Sequence, residues 1–456
     1  MTGPGRGEIT VRILSLGCAK NSVDAEILSG MLAESGCRIV AGGRADVGIV
    51  NTCGFIREAK EESIEEILAM GRLKDRGTIR RLVVAGCLAK RYREELPNAL
   101  PEVDLFVGPG DLPAVPGLLR GLFSGESPRI RVEGGALPDE AYRHRTGGTG
   151  TGSAWLKILE GCSHRCAYCA IPEIRGPLKS RDPGSLQDEA RALVRGGARE
   201  ICLIGQDIAS YGADRGEKGG LARLVGDLCR IRGLGWIRLL YLYPSRIDDA
   251  LIDRIAGEEK VCKYLDIPIQ HIDPRVLQRM GRRYGPEEVG SLVRRLRDRI
   301  PGIFLRTSLI VGFPGETAGA FDRLLRFVRD SRFDYTGVFP YSREEGTPAF
   351  SMGSQVPERV KQDRARQVRE AQADILAARN RAMKGEAIDV LVEESSGKGR
   401  AVGRHRGQAP EVDGNVILSG YRGVSARFCR ARVTGARECD LLAKPVDSDP
   451  SAGILT

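Results

Sequence analysis

Short apolar runs alternate with longer amphipathic stretches over the first part of the chain. The apolar runs predict four strands, at 11–16, 46–51, 81–85 and 103–107. Helical spacing of apolar residues predicts helices over 21–35 and 57–74. Strands that alternate with helices usually form a parallel sheet covered by helices. Residues 9–125 are therefore predicted to form an N-terminal parallel α/β domain.

The same alternation resumes on a larger scale in the middle of the chain. The predicted strands are 154–159, 200–204, 237–242, 264–267, 304–311 and 335–339. Helices are predicted at 185–195, 221–231, 286–299, 317–329 and, highly charged, 357–384. Six strand–helix units predict a partial (β/α)6 barrel over 153–384, related to the eight-unit kind. In such barrels the reactive groups lie at the C-terminal ends of the strands.

Two changes of pattern bound this predicted barrel. Before it, Gly and Thr become frequent, which predicts a flexible linker over 126–152. After it, short alternating runs predict a small antiparallel β-barrel over 385–446, a fold that often holds RNA. Residues 447–456 are predicted to be a disordered tail.

Composition and charge narrow the class of protein. The chain of 456 residues is 41% hydrophobic and 29% charged, and its net charge of +10 fits an anionic partner such as nucleic acid. The first ten residues do not resemble a signal peptide, and no apolar run approaches membrane-spanning length. Twelve cysteines without an export signal favour metal or redox chemistry over disulfides. We expect a cytoplasmic metalloprotein that does not enter a membrane.

The most specific chemical pattern is the run Cys-Ser-His-Arg-Cys-Ala-Tyr-Cys, which contains Cys162, Cys166 and Cys169. Three thiols leave one iron of a four-iron, four-sulfur cluster without a protein ligand, so that this iron is free to bind a substrate. The alternative is a structural zinc site completed by His164 or by a distant residue. Tyr168, directly before the last Cys, favours the cluster because its ring could pack beside a flat base.

A second set of three cysteines is spread over the N-terminal domain. Cys18, Cys53 and Cys87 follow the first three predicted strands, and each lies next to Gly. Loops after parallel strands share one edge of a sheet, so these thiols are expected to meet there. Singly, each Cys would be interpreted as a small buried hydrophobic residue. Together they predict a second cluster with an open iron.

Several motifs resemble a known family. The three-cysteine loop, in Glu-Gly-Cys-Ser-His-Arg-Cys-Ala-Tyr-Cys-Ala-Ile-Pro, resembles radical S-adenosylmethionine enzymes. The domain before it, with Ser-Leu-Gly-Cys-Ala-Lys-Asn-Ser-Val-Asp and Asn-Thr-Cys-Gly-Phe-Ile, is similar to that of methylthiotransferases. Ile-Gly-Gln-Asp, Tyr-Leu-Asp-Ile-Pro-Ile-Gln-His, Val-Gly-Phe-Pro-Gly-Glu-Thr and Ala-Pro-Glu-Val-Asp-Gly extend the likeness from about residue 10 to about residue 445.

This resemblance implies an iron–sulfur cluster in each of the first two domains, S-adenosylmethionine as cofactor, and a TRAM domain as the last barrel. One open iron would chelate S-adenosylmethionine, whose cleavage gives a radical that removes a hydrogen atom, and the other would present sulfur. Acid–base catalysis cannot remove so weakly acidic a proton, and no catalytic side chain is assigned. Further cofactor contacts are expected from Tyr168, Gly205, Gln206, Gln270 and Glu316, although Glu316 lies where it could instead help to cap a helix.

Within the family the chain most resembles the enzymes that modify the β-carbon of an aspartate in ribosomal small-subunit protein S-twelve. The implied partners are that protein, free or in the ribosome, a low-potential electron donor and RNA as a further contact. The alternative is methylthiolation of a modified adenosine in tRNA, which the positive charge favours. Lys20, Asp207 and the motif Asp-Ile-Pro-Ile-Gln-His oppose it, as does the near-neutral last domain, with ten Lys and Arg against eight Asp and Glu over 386–445.

Two further expectations complete the interpretation. A non-catalytic zinc or iron protein that binds RNA is the alternative from another functional class. The remaining cysteines are interpreted as packing residues; they are Cys37, Cys202, Cys229, Cys262, Cys429 and Cys439. Nothing in the sequence demands more than a monomer.

Overall fold

The N-terminal domain is a six-stranded sheet in which every neighbouring pair of strands is parallel. A computed structural model describes residues 8–145 and 150–446 of the chain. The strands are β1 (Thr10–Ser15), β2 (Arg38–Ile39), β3 (Ala45–Thr52), β4 (Ile79–Gly86), β5 (Leu105–Val107) and β6 (Ile130–Arg131), in the spatial order β2-β1-β3-β4-β5-β6. The helices are α1 (Ala19–Glu34), α2 (Arg57–Asp75), α3 (Cys87–Arg91), α4 (Leu96–Ala99) and α5 (Val115–Ser124). The predicted parallel α/β architecture is confirmed.

The segment predicted to be a flexible linker has regular structure in its first two thirds. Strand β6 pairs with β5 and extends the sheet. A 3-10 turn at Asp139–His144 then buries Ala141 and Tyr142, and the Arg181 guanidinium lies 3.4 Å from the centre of the Tyr142 ring. The prediction of flexibility is therefore wrong for these residues, because apolar side chains among the glycines pack against the rest of the protein. Residues 146–149, in the Gly- and Thr-rich part, lie outside the described residues, as does the predicted tail.

The central domain is an open barrel of six parallel strands. They are β7 (Ser153–Lys157), β10 (Glu200–Ile204), β11 (Trp236–Leu239), β12 (Val261–Asp266), β13 (Phe304–Val311) and β14 (Tyr335–Pro340), in that spatial order, with a short hairpin of β8 (Leu159–Glu160) and β9 (Lys179–Ser180). The helices are α6 (Ile171–Arg175), α7 (Pro183–Arg195), α8 (Gly220–Cys229), α9 (Asp249–Gly257), α10 (Pro274–Arg279), α11 (Pro286–Arg299), α12 (Ala318–Ser331) and α13 (Glu358–Ala382). Strands β7 and β14 are the two edges, so the predicted partial (β/α)6 barrel is confirmed.

The C-terminal domain is a closed five-stranded barrel. Its strands are β15 (Ala387–Ser395), β16 (Gly399–His405), β17 (Val416–Tyr421), β18 (Arg427–Arg437) and β19 (Asp440–Pro445). The neighbouring pairs are antiparallel except β17 and β19, which are parallel, so the predicted small barrel is confirmed but is not wholly antiparallel. The pair is parallel because β18 comes between the two strands in sequence and reverses the chain direction before β19.

The small barrel covers the end of the central barrel at which the strands begin. Arg404 pairs with Glu200 at the start of β10 and, at 2.7 Å, with Glu393. The Tyr264 hydroxyl donates to Asp413 at 2.7 Å, and Ala409 between these contacts is fully buried. The N-terminal ends of the strands are thereby closed, and the C-terminal ends face the N-terminal domain. Among the described residues, no helix combines the length and apolarity needed to cross a bilayer.

The remaining cysteines do not share one environment. Cys202 and Cys262 are fully buried inside the central barrel, as expected of packing residues. Cys439 is exposed, so the packing interpretation is wrong for this residue. It lies in the turn between β18 and β19, where no core is available to cover it.

Candidate active site at the mouth of the barrel

The three N-terminal cysteines lie at one edge of the parallel sheet. Cys18 is the N-cap residue of α1, Cys53 follows β3, and Cys87 is the first residue of α3, directly after β4. Strands β1, β3 and β4 are neighbours in the sheet, so their C-terminal ends bring the three residues together. The predicted convergence at this edge is what the structure shows.

Glycines let these three segments approach one another closely. A Cβ atom on Gly17, whose φ is +89°, would lie 2.6 Å from Cys53 Cβ. A Cβ atom on Gly54 would lie 2.9 Å from the backbone of Leu88, next to Cys87. Real Cβ atoms do not come so close to other atoms, so only glycine allows this spacing of the cysteine segments.

Buried polar groups surround the thiols of this triplet. Arg175, at the end of α6 in the central domain, places Nη2 3.1 Å from Cys87 Sγ and 2.8 Å from Asn21 Oδ1. Burial raises the pKa of the Cys87 thiol to about 11, although the Arg175 charge opposes the change. Burial also acts to raise the pKa of Cys18, but the Lys20 charge and the backbone N–H of Asn21 outweigh it and lower that pKa.

The second triplet lies in the loop between β8 and α6, which backbone hydrogen bonds hold in place. Cys162 N–H donates to Gly176 O at 3.1 Å, and Cys169 N–H donates to Cys166 O at 3.1 Å. Arg282 Nη1 lies 3.6 Å from Cys166 Sγ. Burial raises the pKa of the Cys162 thiol to about 11 and that of Cys169 to about 12. Both thiols are thus protonated at neutral pH until a metal displaces the proton.

The donors around each triplet fit a cluster held by thiolates. Arg175, Arg282 and the His164 N–H, which is 3.4 Å from Cys162 Sγ, all point hydrogen atoms at sulfur. Such contacts stabilise the charge of a thiolate-bound cluster. In the described part of the chain, no three His, Cys, Asp or Glu side chains are grouped so as to hold a single metal ion.

His164, the candidate fourth zinc ligand, has other partners. Its Nε2 lies 2.8 Å from Asp207 Oδ2, and its ring stacks on Tyr243 with 3.9 Å between the ring centres. Asp207 also accepts hydrogen bonds from the Ser210 hydroxyl and the Tyr243 N–H. The histidine is therefore part of a network that supports the cysteine loop.

Three of the predicted cofactor contacts lie around the mouth of the barrel. Tyr168 packs edge-to-face on Phe313, with 6.4 Å between ring centres. Gly205 follows β10, and its carbonyl accepts a hydrogen bond from Lys20 Nζ at 3.4 Å. Gln206 has a buried Oε1 without a hydrogen-bond partner among the described residues. A buried unpaired acceptor of this kind is costly unless a ligand or water satisfies it.

The other two predicted contacts are engaged with the protein. Gln270, at φ +65°, uses its backbone N–H and carbonyl to bridge to β13, with bonds of 2.8 Å to Ser308 and Ile310. Glu316 accepts from Gly312 N–H at 2.8 Å and pairs with Arg364 of α13 at 2.7 Å. Its geometry is that of a structural anchor.

Thr317 and His271, which lie beside Glu316, also bond to residues close to them in the chain. Thr317 caps α12 by accepting a hydrogen bond from Ala320 N–H at 3.2 Å, so this segment has a structural role as a helix cap. His271 is fully buried, and its Nδ1 accepts from Asp273 N–H at 2.9 Å. Its Nε2 lies 3.4 Å from Glu316 Oε2. His271 is thus a buried histidine whose Nδ1 is hydrogen-bonded, while its Nε2 has no hydrogen-bond partner among the described residues.

Sequence reasoning missed three residues that join the two domains at this mouth. Arg175 pairs with Asp24 of α1 at 2.7 Å as well as facing Cys87. Lys20 places its ammonium 3.9 Å from the centre of the Tyr241 ring. Tyr241 has φ +63°, a strained conformation for a residue other than glycine. Lys20 lies inside a recognised motif and Arg175 lies three residues after another, but no sequence signal shows that Tyr241 adopts this conformation.

A cavity in the central domain borders the second triplet. Its volume is about 880 Å³, and it is lined by Cys162, His164, Asp207, Tyr243 and Arg282 among others. None of its lining residues belongs to the first triplet. The cavity therefore reaches only one of the two groups of thiols.

Family models match the three domains separately. The Radical SAM superfamily matches residues 156–328, Uncharacterized protein family UPF0004 matches 10–108, and the TRAM domain matches 385–446. A ribosomal protein uS12 methylthiotransferase RimO from Geobacter sulfurreducens is 48% identical over 95% of this chain and 98% of its own. The RimO of Trichlorobacter lovleyi is 47% identical over 96% of this chain and 98% of its own.

The chain belongs to the RimO family of methylthiotransferases. It is thus a radical S-adenosylmethionine enzyme, and the superfamily implies S-adenosylmethionine and a four-iron, four-sulfur cluster. Among solved structures, the radical S-adenosylmethionine methyltransferase TsrM from Kitasatospora setae matches with a TM-score of 0.56 at 17% identity, over 75% of this chain and 77% of that one. At that identity the likeness shows the fold alone.

Proposed function

We propose that this RimO-family enzyme attaches a methylthio group to the β-carbon of an aspartate in ribosomal protein uS12. Its relatives at 44–48% identity are named for that protein. The observation that supports the proposal is the contact of the first thiol triplet with the segment that follows the second triplet, where Cys87 packs with Ala170. Cys87 of the first triplet is 3.1 Å from Arg175, which follows Cys169 of the second by six residues.

We assign Cys162, Cys166 and Cys169 to the cluster that binds S-adenosylmethionine, and Cys18, Cys53 and Cys87 to a second cluster. When bound, these groups supply one-electron chemistry at an unactivated carbon and a source of sulfur. Arg282 and the His164 N–H stabilise the negative charge of the Cys162 and Cys166 sulfurs. Arg175 does the same for the Cys87 sulfur. In this proposal Tyr168, Gly205 and Gln206 contact S-adenosylmethionine, whereas Gln270 and Glu316 support the barrel around the site.

The remaining partners follow from this chemistry. A one-electron step needs a low-potential electron donor. We expect the enzyme to act in the cytoplasm, as a monomer, on free uS12 or on uS12 in the ribosome. The C-terminal barrel would give a further contact to RNA, which its TRAM match supports. The net charge of +10 favours the alternative tRNA substrate, but the near-neutral charge of that barrel opposes it.

Replacing Cys53 tests the proposal, because Cys53 belongs to the first triplet only, with Cys18 and Cys87. The Cys53→Ala enzyme is expected to keep cleavage of S-adenosylmethionine to 5′-deoxyadenosine, since the cluster on Cys162, Cys166 and Cys169 keeps its ligands. It should add no methylthio group to uS12, as measured by the intact mass of the protein. Cys439→Ala, at an exposed turn, is the control and should modify uS12 as the wild type does.

Two results would contradict the assignment. Full modification of uS12 by Cys53→Ala would remove the second cluster from the reaction. Unmodified uS12 together with methylthio-adenosine in tRNA, both from the wild-type enzyme, would instead replace the substrate.

A further inference from the structure

A lysine ammonium next to the first thiol triplet reaches the mouth of the barrel. Lys20 is in the first turn of α1, two residues after Cys18 of the first triplet. Its Nζ lies 3.4 Å from the carbonyl oxygen of Gly205 and 3.9 Å from the centre of the Tyr241 ring. Gly205 and Tyr241 follow the ends of β10 and β11 in the central domain. Lys20 therefore crosses from the sheet edge to the mouth of the barrel.

This ammonium has unused hydrogen-bonding capacity. Lysine has three N–H donors, and the one hydrogen bond to Gly205 is long. Over residues 8–145 and 150–446, no carboxylate oxygen lies within 4.0 Å of Lys20 Nζ. A half-buried ammonium with spare donors is a binding group for an anion.

The neighbouring cations are paired with carboxylates or make several hydrogen bonds to the protein. Arg175 and Lys157 share the carboxylates of Asp24 and Glu160. Arg282 has no carboxylate partner in the described chain, but its donors go to the Tyr284 hydroxyl, Pro268 O and Cys166 Sγ. Lys20 thus differs from these cations in making a single, long hydrogen bond to the protein.

The residue beneath Lys20 is held in a strained conformation. Tyr241 has φ +63°, and hydrogen bonds on both sides fix its backbone: its N–H donates to Asp266 at 3.3 Å, and its carbonyl accepts from Ile208 N–H at 3.0 Å. Strain of this kind is retained where the position of a side chain matters to function. The ring presents its negative face to the ammonium and fixes it without neutralising its charge.

We propose that Lys20 binds the side-chain carboxylate of the aspartate that the enzyme modifies. This inference rests on the proposed function, in which the target carbon is bonded to that carboxylate. A charge-assisted hydrogen bond at the carboxylate positions the β-carbon between the two thiol triplets. Lys20 also gives a preference for an acidic residue over a neutral base or amide at the same place.

A double-mutant cycle tests this contact directly. Reconstituted wild-type, Lys20→Met and Lys20→Arg enzymes are measured with uS12 and with uS12 whose target aspartate is replaced by asparagine. The binding affinity for each substrate protein is the first readout, and kcat/KM for 5′-deoxyadenosine release is the second. Lys398→Met, at the exposed turn between β15 and β16, controls for the loss of one positive charge.

The expected pattern is specific to a direct contact. Wild-type enzyme should bind the asparagine substrate about tenfold less tightly than uS12, and Lys20→Met should lose about tenfold on uS12. Lys20→Met should lose nothing further on the asparagine substrate. Lys20→Arg should restore most of the affinity and the discrimination, and Lys398→Met should behave as wild type.

Independent effects of the two replacements would overturn the inference. So would a Lys20→Met enzyme with normal affinity for uS12 and a raised KM for S-adenosylmethionine, because the carboxylate bound would then be that of the cofactor. If Lys20→Met takes up no iron, Lys20→Gln decides, with the same insensitivity to the asparagine substrate expected. A wild-type enzyme that neither binds nor modifies uS12 would instead refute the proposed function.

Discussion

Asp266 shows what burial inside the barrel does to a single carboxyl group. It ends β12 and is almost fully buried. Arg306 Nε is 3.7 Å away, and one carboxyl oxygen, Oδ1, has no hydrogen-bond partner among the described residues. Burial outweighs the Arg306 charge and raises the pKa of Asp266 to about 6. This carboxyl therefore changes its charge close to neutral pH.

The Asp266→Asn variant is predicted to remove a pH dependence of stability. A raised pKa favours the protonated acid in the folded state, so its contribution is complete below about pH 4 and is lost as the pH rises through about 6. Relative to the variant, metal-free wild-type protein should lose up to about 3 kcal/mol of unfolding free energy between about pH 4 and pH 7. Urea unfolding at several pH values measures this, with exposed Asp330→Asn as control. A constant difference across that range would contradict the argument.

At the scale of elements, the first triplet depends on how closely three strand ends approach. A methyl group on Gly54 would lie 2.9–3.0 Å from the backbone of Leu88 and Cys87, and backbone cannot rotate away. Gly54→Ala is predicted to separate these segments and to lower the iron content of reconstituted enzyme from about eight to about four per chain. Gly42→Ala, where nothing lies within 4 Å, should keep the wild-type iron content. Equal iron in both variants would show that the spacing does not matter.

The elements themselves were largely predictable from periodicity. The strands predicted at 200–204 and 304–311 coincide with β10 and β13, and the helix predicted at 286–299 coincides with α11. Strand β10 is a short run buried throughout, whereas buried residues alternate in β13 and recur at helical spacing in α11. The two-residue strands β2 and β6 were missed, since so few residues carry no period. Helix α3 was also missed, because five residues starting at Cys87 look like a loop.

For the candidate site, the sequence predicted how the six cysteines are grouped. Strand order alone brings Cys18, Cys53 and Cys87 to one edge, and local spacing groups the other three. The positions of Lys20 and Tyr241 could not be read from the sequence. They depend on a contact between two domains and on a left-handed backbone at a residue that is not glycine.

In the whole molecule, buried charges fix the two domains relative to each other at the site. Arg175 and Lys157 of the central domain enclose Asp24 of α1, and all three side chains are almost fully buried. Removing one partner from such a group leaves a buried charge unpaired, which commonly costs about 3–5 kcal/mol. The small barrel closes the opposite end through Arg404 and Glu200. The distance between the two thiol triplets is therefore set by the folded chain as a whole.

The central claim is that one chain carries two separate three-thiolate clusters facing one mouth. Iron determination on anaerobically reconstituted protein tests it most directly, comparing wild type with a variant in which Cys162, Cys166 and Cys169 are all replaced by Ala. The account predicts about eight irons per wild-type chain and about four in the variant, held by Cys18, Cys53 and Cys87. About four irons in the wild type and none in the variant would contradict it.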